Sequence, residues 1–253
     1  MRNFLSLIAL TFFFGSCQKQ QSSTNVQQIV DDAIAASGGD TYSNSVVSFR
    51  FRDKKYKAIR HNSRFILNRF FEDSLGGFCD ELTNDDFARY LDKEYYPLAD
   101  SLSDKYRQSV NSVHYFAMLP YGLNDGAVIK EYLGGTTINN AEYDKVKVRF
   151  NAKGGGDDFE DIFIYWINKE SAFVDYLAYE YHTDGGGSRF REAYNPRIVN
   201  GIRFVDYKNL KPENKKRPLD SLEVDFKNGK LKLLSKIELK EIEVIPLNDC
   251  SSC

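Results

Sequence analysis

Arg189 and Arg191 stand two residues apart in Ser188-Arg-Phe-Arg-Glu-Ala-Tyr-Asn195. On a strand that spacing puts both guanidinium groups on one face. Side by side they are suited to grip an anionic head group such as a carboxylate or phosphate. Pairing with Asp175, Glu180 or Asp184 across a hairpin is the competing use of the same charges. A second polar concentration, Asp157, Asp158, Glu160 and Asp161, bunches carboxylates in a glycine-rich loop. Hard cations bind such clusters, but the D-x-D-x-D-G ligand spacing is missing. Asp157, Asp158 and Asp161 therefore stand as weak metal candidates, and an acidic turn in water is the plainer reading; no cofactor is expected.

The remaining chemistry is thin. There is no G-x-S-x-G, and His61, His114 and His182 have no acid partner at a telling spacing. Gly154-Gly-Gly156 precedes a strand and Gly185-Gly-Gly187 joins two, whereas a phosphate loop needs a glycine turn that opens a helix. The triplets read as sharp turns. Cys250 and Cys253 form a C-x-x-C in a tail, a spacing that can close as a local disulfide in an oxidising envelope, and Cys79 stands alone. No catalytic residues are assigned, and the balance leans away from an enzyme.

The elements around these residues are mostly strands. Between the glycine triplets, Ile162, Ile164 and Trp166 alternate with Phe163, Tyr165 and Ile167, and Leu177, Tyr179 and Tyr181 with Val174, Tyr176 and Ala178. Both faces are apolar, so these strands must be covered twice. Before them, a helix over residues 24–36 capped by Thr24 or Asn25 leads into three short strands from Val47 to Phe71. Residues 84–91 suggest a short helix carrying Phe87, Tyr90 and Leu91, and a longer helix runs over 103–118. Phe116 to Leu123 follows as an apolar loop containing Leu119 and Tyr121. Toward the C-terminus, Asn228-Gly229 between Val224, Phe226 and Leu231, Leu233 predicts a hairpin over 222–234. The count is nine to eleven strands and two or three helices. It predicts one α+β domain over residues 24–247, an antiparallel sheet that curls, with its helices grouped on one side.

The ends of the chain bear on location. Arg2, the apolar run Phe4 to Phe14 and Phe14-Gly-Ser-Cys17 make a lipoprotein signal over residues 1–16, with lipidation expected at Cys17. The run is too short to span a bilayer, which takes about 20 residues. Residues 17–23 read as a polar tether and 248–253 as a tail. With 34 basic and 36 acidic residues the net charge is −2, which argues against a nucleic-acid partner. The expected partners are a membrane, through the anchor, and a hydrophobic ligand; a monomer is expected.

The segments NSVHYFAMLPYGLND, YLGG, GGGDDFEDIFIYWIN, VDYLAYEYHTDGGGSRFREAYNPR and NGIRFVDY, behind such a signal, resemble an uncharacterised Bacteroidota lipoprotein family. More distantly the chain resembles the LolA-like periplasmic lipoprotein carriers and receptors. That resemblance implies a half-open β-barrel lidded by helices that holds acyl chains. It implies no catalytic residues. The reading is of a lipid-anchored envelope protein, on the periplasmic face of the outer membrane, that binds a lipid or other hydrophobic ligand. Trp166, Tyr176, Tyr179, Phe116, Leu119 and Tyr121 are expected near the cavity, with Arg189 and Arg191 near its mouth. The alternatives are an enzyme acting on an envelope glycan or small anionic substrate, and a structural or partner-binding lipoprotein with a filled barrel.

Overall fold

The computed structural model describes residues 25–151, 160–182, 185–215 and 217–247. Helix α1 (Val26–Ser37) starts where the Asn25 side chain accepts a hydrogen bond from the Gln27 amide, 3.0 Å. It ends at Gly38, whose φ is +152° and where an added Cβ would meet the Tyr42 ring at 2.9 Å. Six strands follow: β1 (Ser45–Phe51), β2 (Lys54–His61), β3 (Arg64–Asp73), β4 (Gly76–Thr83), β5 (Phe87–Leu91) and β6 (Glu94–Tyr95). Helix α2 (Asp100–Ala117) then crosses to β7 (Val128–Ile138), β8 (Ala141–Phe150), β9 (Ile162–Asn168), β10 (Val174–Tyr181), β11 (Gly187–Val199) and β12 (Ile202–Lys211). Helix α3 (Leu222–Lys227), β13 (Lys232–Ile237) and β14 (Leu239–Pro246) complete the described elements.

The strands make two antiparallel seven-stranded sheets, ordered β14-β1-β2-β3-β4-β5-β6 and β13-β12-β11-β10-β9-β8-β7. They meet where the chain steps from β13 to β14 across Glu238. Asp206 is buried at that seam; it accepts the Leu239 amide (3.0 Å), Arg197 Nη2 (2.9 Å) and Asn195 Nδ2 (2.7 Å), while Arg197 also donates to the Leu239 carbonyl. At the opposite side β6 and β7 do not pair with each other, so the two sheets form a curved, half-open barrel.

Each inner face is apolar because the strands alternate; β1 buries Val47, Phe49 and Phe51 in turn. The largest core cluster lies between the sheets. It joins Val30 and Ala33 of α1, Val113 and Ala117 of α2, and Met118, Leu119 and Leu123 of the loop to Val146, Tyr165, Leu177, Phe204 and Val244. A second core lies on the outer face of the β7–β13 sheet, where α3 and the turn before it cover Ile164, Trp166, Tyr176, Ala178 and Phe190 with Leu219 and Leu222. Both faces of β9 and β10 are thus covered, as their two-sided apolar sequence requires. Two helices pack on the inner side and α3 on the outer.

Two local expectations are corrected. Residues 84–91 are not helical: Phe87–Leu91 is β5, paired with β4, because Phe87 and Arg89 are both buried on one strand face. Residues 222–234 are not a hairpin. Leu219, Leu222 and Phe226 follow a helical spacing that seats α3 on the outer core, and Phe226 stacks on Phe190 at 4.6 Å. Asn228 and Gly229 then stop the helix: their amides donate to Val224 O and Phe226 O, and Gly229 takes φ +65°. The strand total also rises to fourteen among the described residues, since β4 to β7 lack a clean apolar alternation. Phe226→Ala is expected to lower the urea unfolding midpoint, corresponding to about 2 kcal/mol, by uncovering this outer core.

Candidate ligand-binding face

The inner face of β8–β11 carries a continuous run of rings toward one end of the sheet. Phe163 stacks on Tyr165 (6.0 Å) and Tyr179 (5.5 Å), and Phe150 meets Phe163 edge-on at 5.9 Å. Strand register makes this run, since Tyr179 sits opposite Phe163 and Leu177 opposite Tyr165. Helix α2 adds Tyr115, whose hydroxyl lies 2.8 Å from that of Tyr165, and Phe116, which meets Phe51 at 5.3 Å. Burial raises the pKa of both tyrosines of the hydroxyl pair, so both remain neutral and able to hydrogen-bond. Tyr165 is buried, whereas Phe116, Phe150, Phe163 and Tyr179 remain half-buried.

The arginine pair falls on this face. Arg189 lies opposite Tyr179 and Arg191 opposite Leu177. Arg191 donates to the Tyr179 hydroxyl at 3.0 Å, and its guanidinium stands 4.9 Å from the Tyr179 ring and 5.2 Å from that of Phe116. Arg189 donates to the Tyr181 hydroxyl (2.6 Å) and to its neighbour's carbonyl at Ser188 (2.8 Å). Among the described residues neither forms an ion pair with a carboxylate; Asp175 is taken by Arg203 at 3.3 Å, and Asp184 lies outside the described residues.

Phe116, Tyr179, Arg189 and Arg191 are therefore brought together. Trp166 and Tyr176 are not; they point to the outer face beneath α3, where the Tyr176 ring lies 5.3 Å from that of Phe226, tilted by 56°. A register shift between Val174 and Tyr176 separates that pair from Val174, which joins the inner core. Leu119 is buried in the inner core, and Tyr121 sits against Tyr42 (5.2 Å) and Arg60 (5.1 Å). Between α1 and the turn holding Tyr121 lies a shallow recess of about 340 Å³, lined by Asp31, Ile34, Asp40 and Asn124. The inner rings Phe163 and Tyr165 were visible in the alternation of β9. Phe150 continues the alternation of Val146 and Val148 along β8; Tyr115 carried no such signal, because only the packing of α2 against the sheet brings it to the face.

Of the remaining candidates, Asp161 lies 3.7 Å from His182, while Cys17, Asp157, Asp158, Cys250 and Cys253 lie outside the described residues. Among the described residues no three His, Cys, Asp or Glu side chains gather as a metal site. Burial first, then Glu81 and Asp80, pushes the Cys79 thiol up to about 11, which leaves it a poor nucleophile.

Trp166 has a polar role on the outer face. Its indole donates to Glu223 at 3.1 Å, and Lys227, Thr136 and Lys145 converge on the same carboxylate. Burial by itself would raise the Glu223 pKa, but hydrogen bonds from Lys227, Thr136 and Trp166 and the Lys145 charge outweigh it and hold the group at about 2. The folded state thus favours the carboxylate. Its contribution is fully present above the unfolded value of about 4.5 and is lost as pH falls toward 2. Glu223→Gln is expected to cost on the order of 2–3 kcal/mol at pH 7 and only a few tenths of a kcal/mol at pH 2, as measured by urea unfolding at both pH values.

No curated protein sequence matches this chain. Among solved structures, a LolA superfamily protein from Nitrosomonas europaea superposes with a TM-score of 0.51 at 13% identity, covering 90% of this chain and 96% of that one. A DUF1329 family protein from Desulfovibrio piger (TM-score 0.48, 8% identity, 89% and 95% covered) also matches. So does an outer membrane lipoprotein-sorting protein domain from Vibrio parahaemolyticus (0.46, 8%, 90% and 96%). The first match shows that the half-open barrel is LolA-like, as the resemblance to the carriers implied. The model of a family of unknown function, DUF6503, matches residues 3–239, and the chain belongs to that family.

Proposed function

We propose that this chain is an envelope lipoprotein, tethered through a lipid on Cys17, that binds a lipid or other hydrophobic ligand against the inner face of β8–β11. The observation that carries the reading is the half-buried aromatic run of Phe150, Phe163, Tyr179 and Phe116 on the concave side of an open barrel. Apolar surface left half-covered on a concave face gains about 25 cal/mol for each Å² that a ligand removes from water. The similarity to a LolA superfamily protein supports the same reading at the level of fold. Because α2 and the Met118 to Leu123 segment fill the centre of the barrel, the ligand lies along the half-buried rings toward one end of the sheet.

The test is native mass spectrometry and solvent extraction of the protein purified from the bacterial envelope, followed by titration with a fluorescent acyl probe. A co-purifying hydrophobic molecule is expected, together with probe binding that Phe163→Ala and Tyr179→Ala weaken severalfold. Absence of both would remove the reading. The packed centre favours a second one, a filled-barrel lipoprotein that works by contact with a protein partner, and it is the reading left standing if no acyl probe binds.

A further inference from the structure

We infer that the ligand is an amphiphile with an anionic head, bound through Arg191 with Arg189 beside it; this rests on the ring face being the ligand site. Three observations carry it. Both guanidinium groups project onto the inner face, at positions opposite Leu177 and Tyr179, so they border the apolar run instead of facing away from it. Neither is neutralised by a carboxylate among the described residues, although the neighbouring arginines Arg197 and Arg203 each hold an aspartate. Arg191 is fixed by its own surroundings: Tyr179 accepts from Nη2, the Phe116 and Tyr179 rings flank the guanidinium, and Nε is buried without a partner.

A cation held against rings and short of acceptors is an incomplete hydrogen-bonding unit. A carboxylate or phosphate completes it, and the half-buried rings beside it take the chain of the same molecule. A neutral lipid would leave the charge uncompensated in a site where its tail displaces water, which is costly. Charge and apolar surface together therefore select an anionic head with a tail, in preference to either one alone.

The test uses the purified full chain and isothermal titration with dodecanoate, the neutral glycerol ester of the same acid, and acetate, alongside sedimentation with phosphatidylglycerol vesicles. Dodecanoate is expected to bind about tenfold or more tighter than the neutral ester. Arg191→Gln should erase that preference while leaving the neutral ester unchanged, and Arg189→Gln should reduce it by less. Thermal unfolding of each variant shows that the fold is retained; if Arg191→Gln does not fold, the Arg189→Gln series and the wild-type acid-to-ester ratio still decide. Equal affinity of acid and ester would overturn the head-group inference and leave hydrophobic binding in place. Acetate binding as tightly as dodecanoate would overturn it in favour of a bare anion site. Sedimentation with vesicles without binding of the monomeric acid would overturn it in favour of a membrane-facing surface. Failure of both tailed compounds to bind would instead remove the ring face as a ligand site.

Discussion

Asp80→Ala is expected to destabilise the protein by about 3–5 kcal/mol, a large part of the roughly 5–15 kcal/mol that holds an ordinary domain together. Asp80 is fully buried on β4, directly opposite Arg69 on β3 and Arg89 on β5. Arg69 donates from Nε at 2.8 Å and from Nη2, and Arg89 donates from Nε at 2.6 Å and Nη2 at 3.0 Å. The surroundings make the site expensive to break. The Arg89 guanidinium stands 3.8 Å from the Tyr106 ring centroid and 5.3 Å from those of Phe71 and Phe78, while Arg69 reaches Ser109 of α2 at 2.8 Å. Alanine at position 80 would leave two buried cations without a counter-charge. Replacing the whole triad by apolar residues of similar volume removes the desolvation cost along with the attraction, so Arg69→Met, Asp80→Leu and Arg89→Met together should be less destabilising than Asp80→Ala alone. Urea denaturation of wild type, single and triple variants measures both effects. If the single variant loses under 1 kcal/mol, the triad is not the clamp between β3, β4 and β5 that its geometry indicates.

Acid sensitivity is the second large effect, and it comes from His114. This side chain sits in the last turn of α2, where the helix carbonyls would favour the imidazolium. Burial opposes that and prevails: the ring is 1% exposed, meets Phe49 and Tyr56 edge-on at 5.7 and 5.6 Å, and has the Arg60 charge in its vicinity. Burial, and then Arg60, hold its pKa at about 3 against an ordinary 6.5. One ring nitrogen, Nε2, lies 3.1 Å from the Asn68 carbonyl, a contact that the neutral ring makes as donor.

A base with a depressed folded pKa takes up its proton preferentially in the unfolded chain. Between pH 6.5 and 3 the unfolded state therefore binds more protons, and stability falls as pH falls, by about 1.4 kcal/mol per unit. The accumulated loss is on the order of 4–5 kcal/mol at pH 3, with Glu223 adding its own loss below pH 4.5. His114→Gln keeps a donor toward Asn68 and has no proton to gain, so it should flatten the pH dependence between 6.5 and 4.5, where Glu223 contributes little. Thermal unfolding recorded every half pH unit is the measurement. A wild-type curve that is flat over that interval would sink the assignment.

The two effects show where a linear reading stops. Arg69, Asp80 and Arg89 are ordinary charged residues in sequence, each more consistent with a strand face in water than with a core. Their meaning lies in register, which aligns three residues from three strands on one row. Asn84-Asp-Asp86 as a cap and the spacing of Phe87, Tyr90 and Leu91 suggest a helix in the same way, and only the pairing with β4 places Arg89 in a buried row of a strand. His114 similarly had no adjacent acid partner and no telling spacing, and its importance is that it is buried with one backbone carbonyl as its hydrogen-bond partner and the Arg60 charge in its vicinity.

What the sequence determined by itself was local. Alternation over Ile162–Asn168 and Val174–Tyr181 required two covered faces, glycines and Asn-Gly pairs marked chain reversals or stops, and the i, i+2 spacing put Arg189 and Arg191 side by side. Only the tertiary structure decided which face was which. Trp166 and Phe163 are equivalent in the pattern, yet α3 covers the first while the rim leaves the second half-open. Periodicity records that two faces exist and carries no sign telling concave from convex. That sign comes from the joining of β13 to β14, which curls the two sheets around α1 and α2 and turns the arginine pair inward onto the rings.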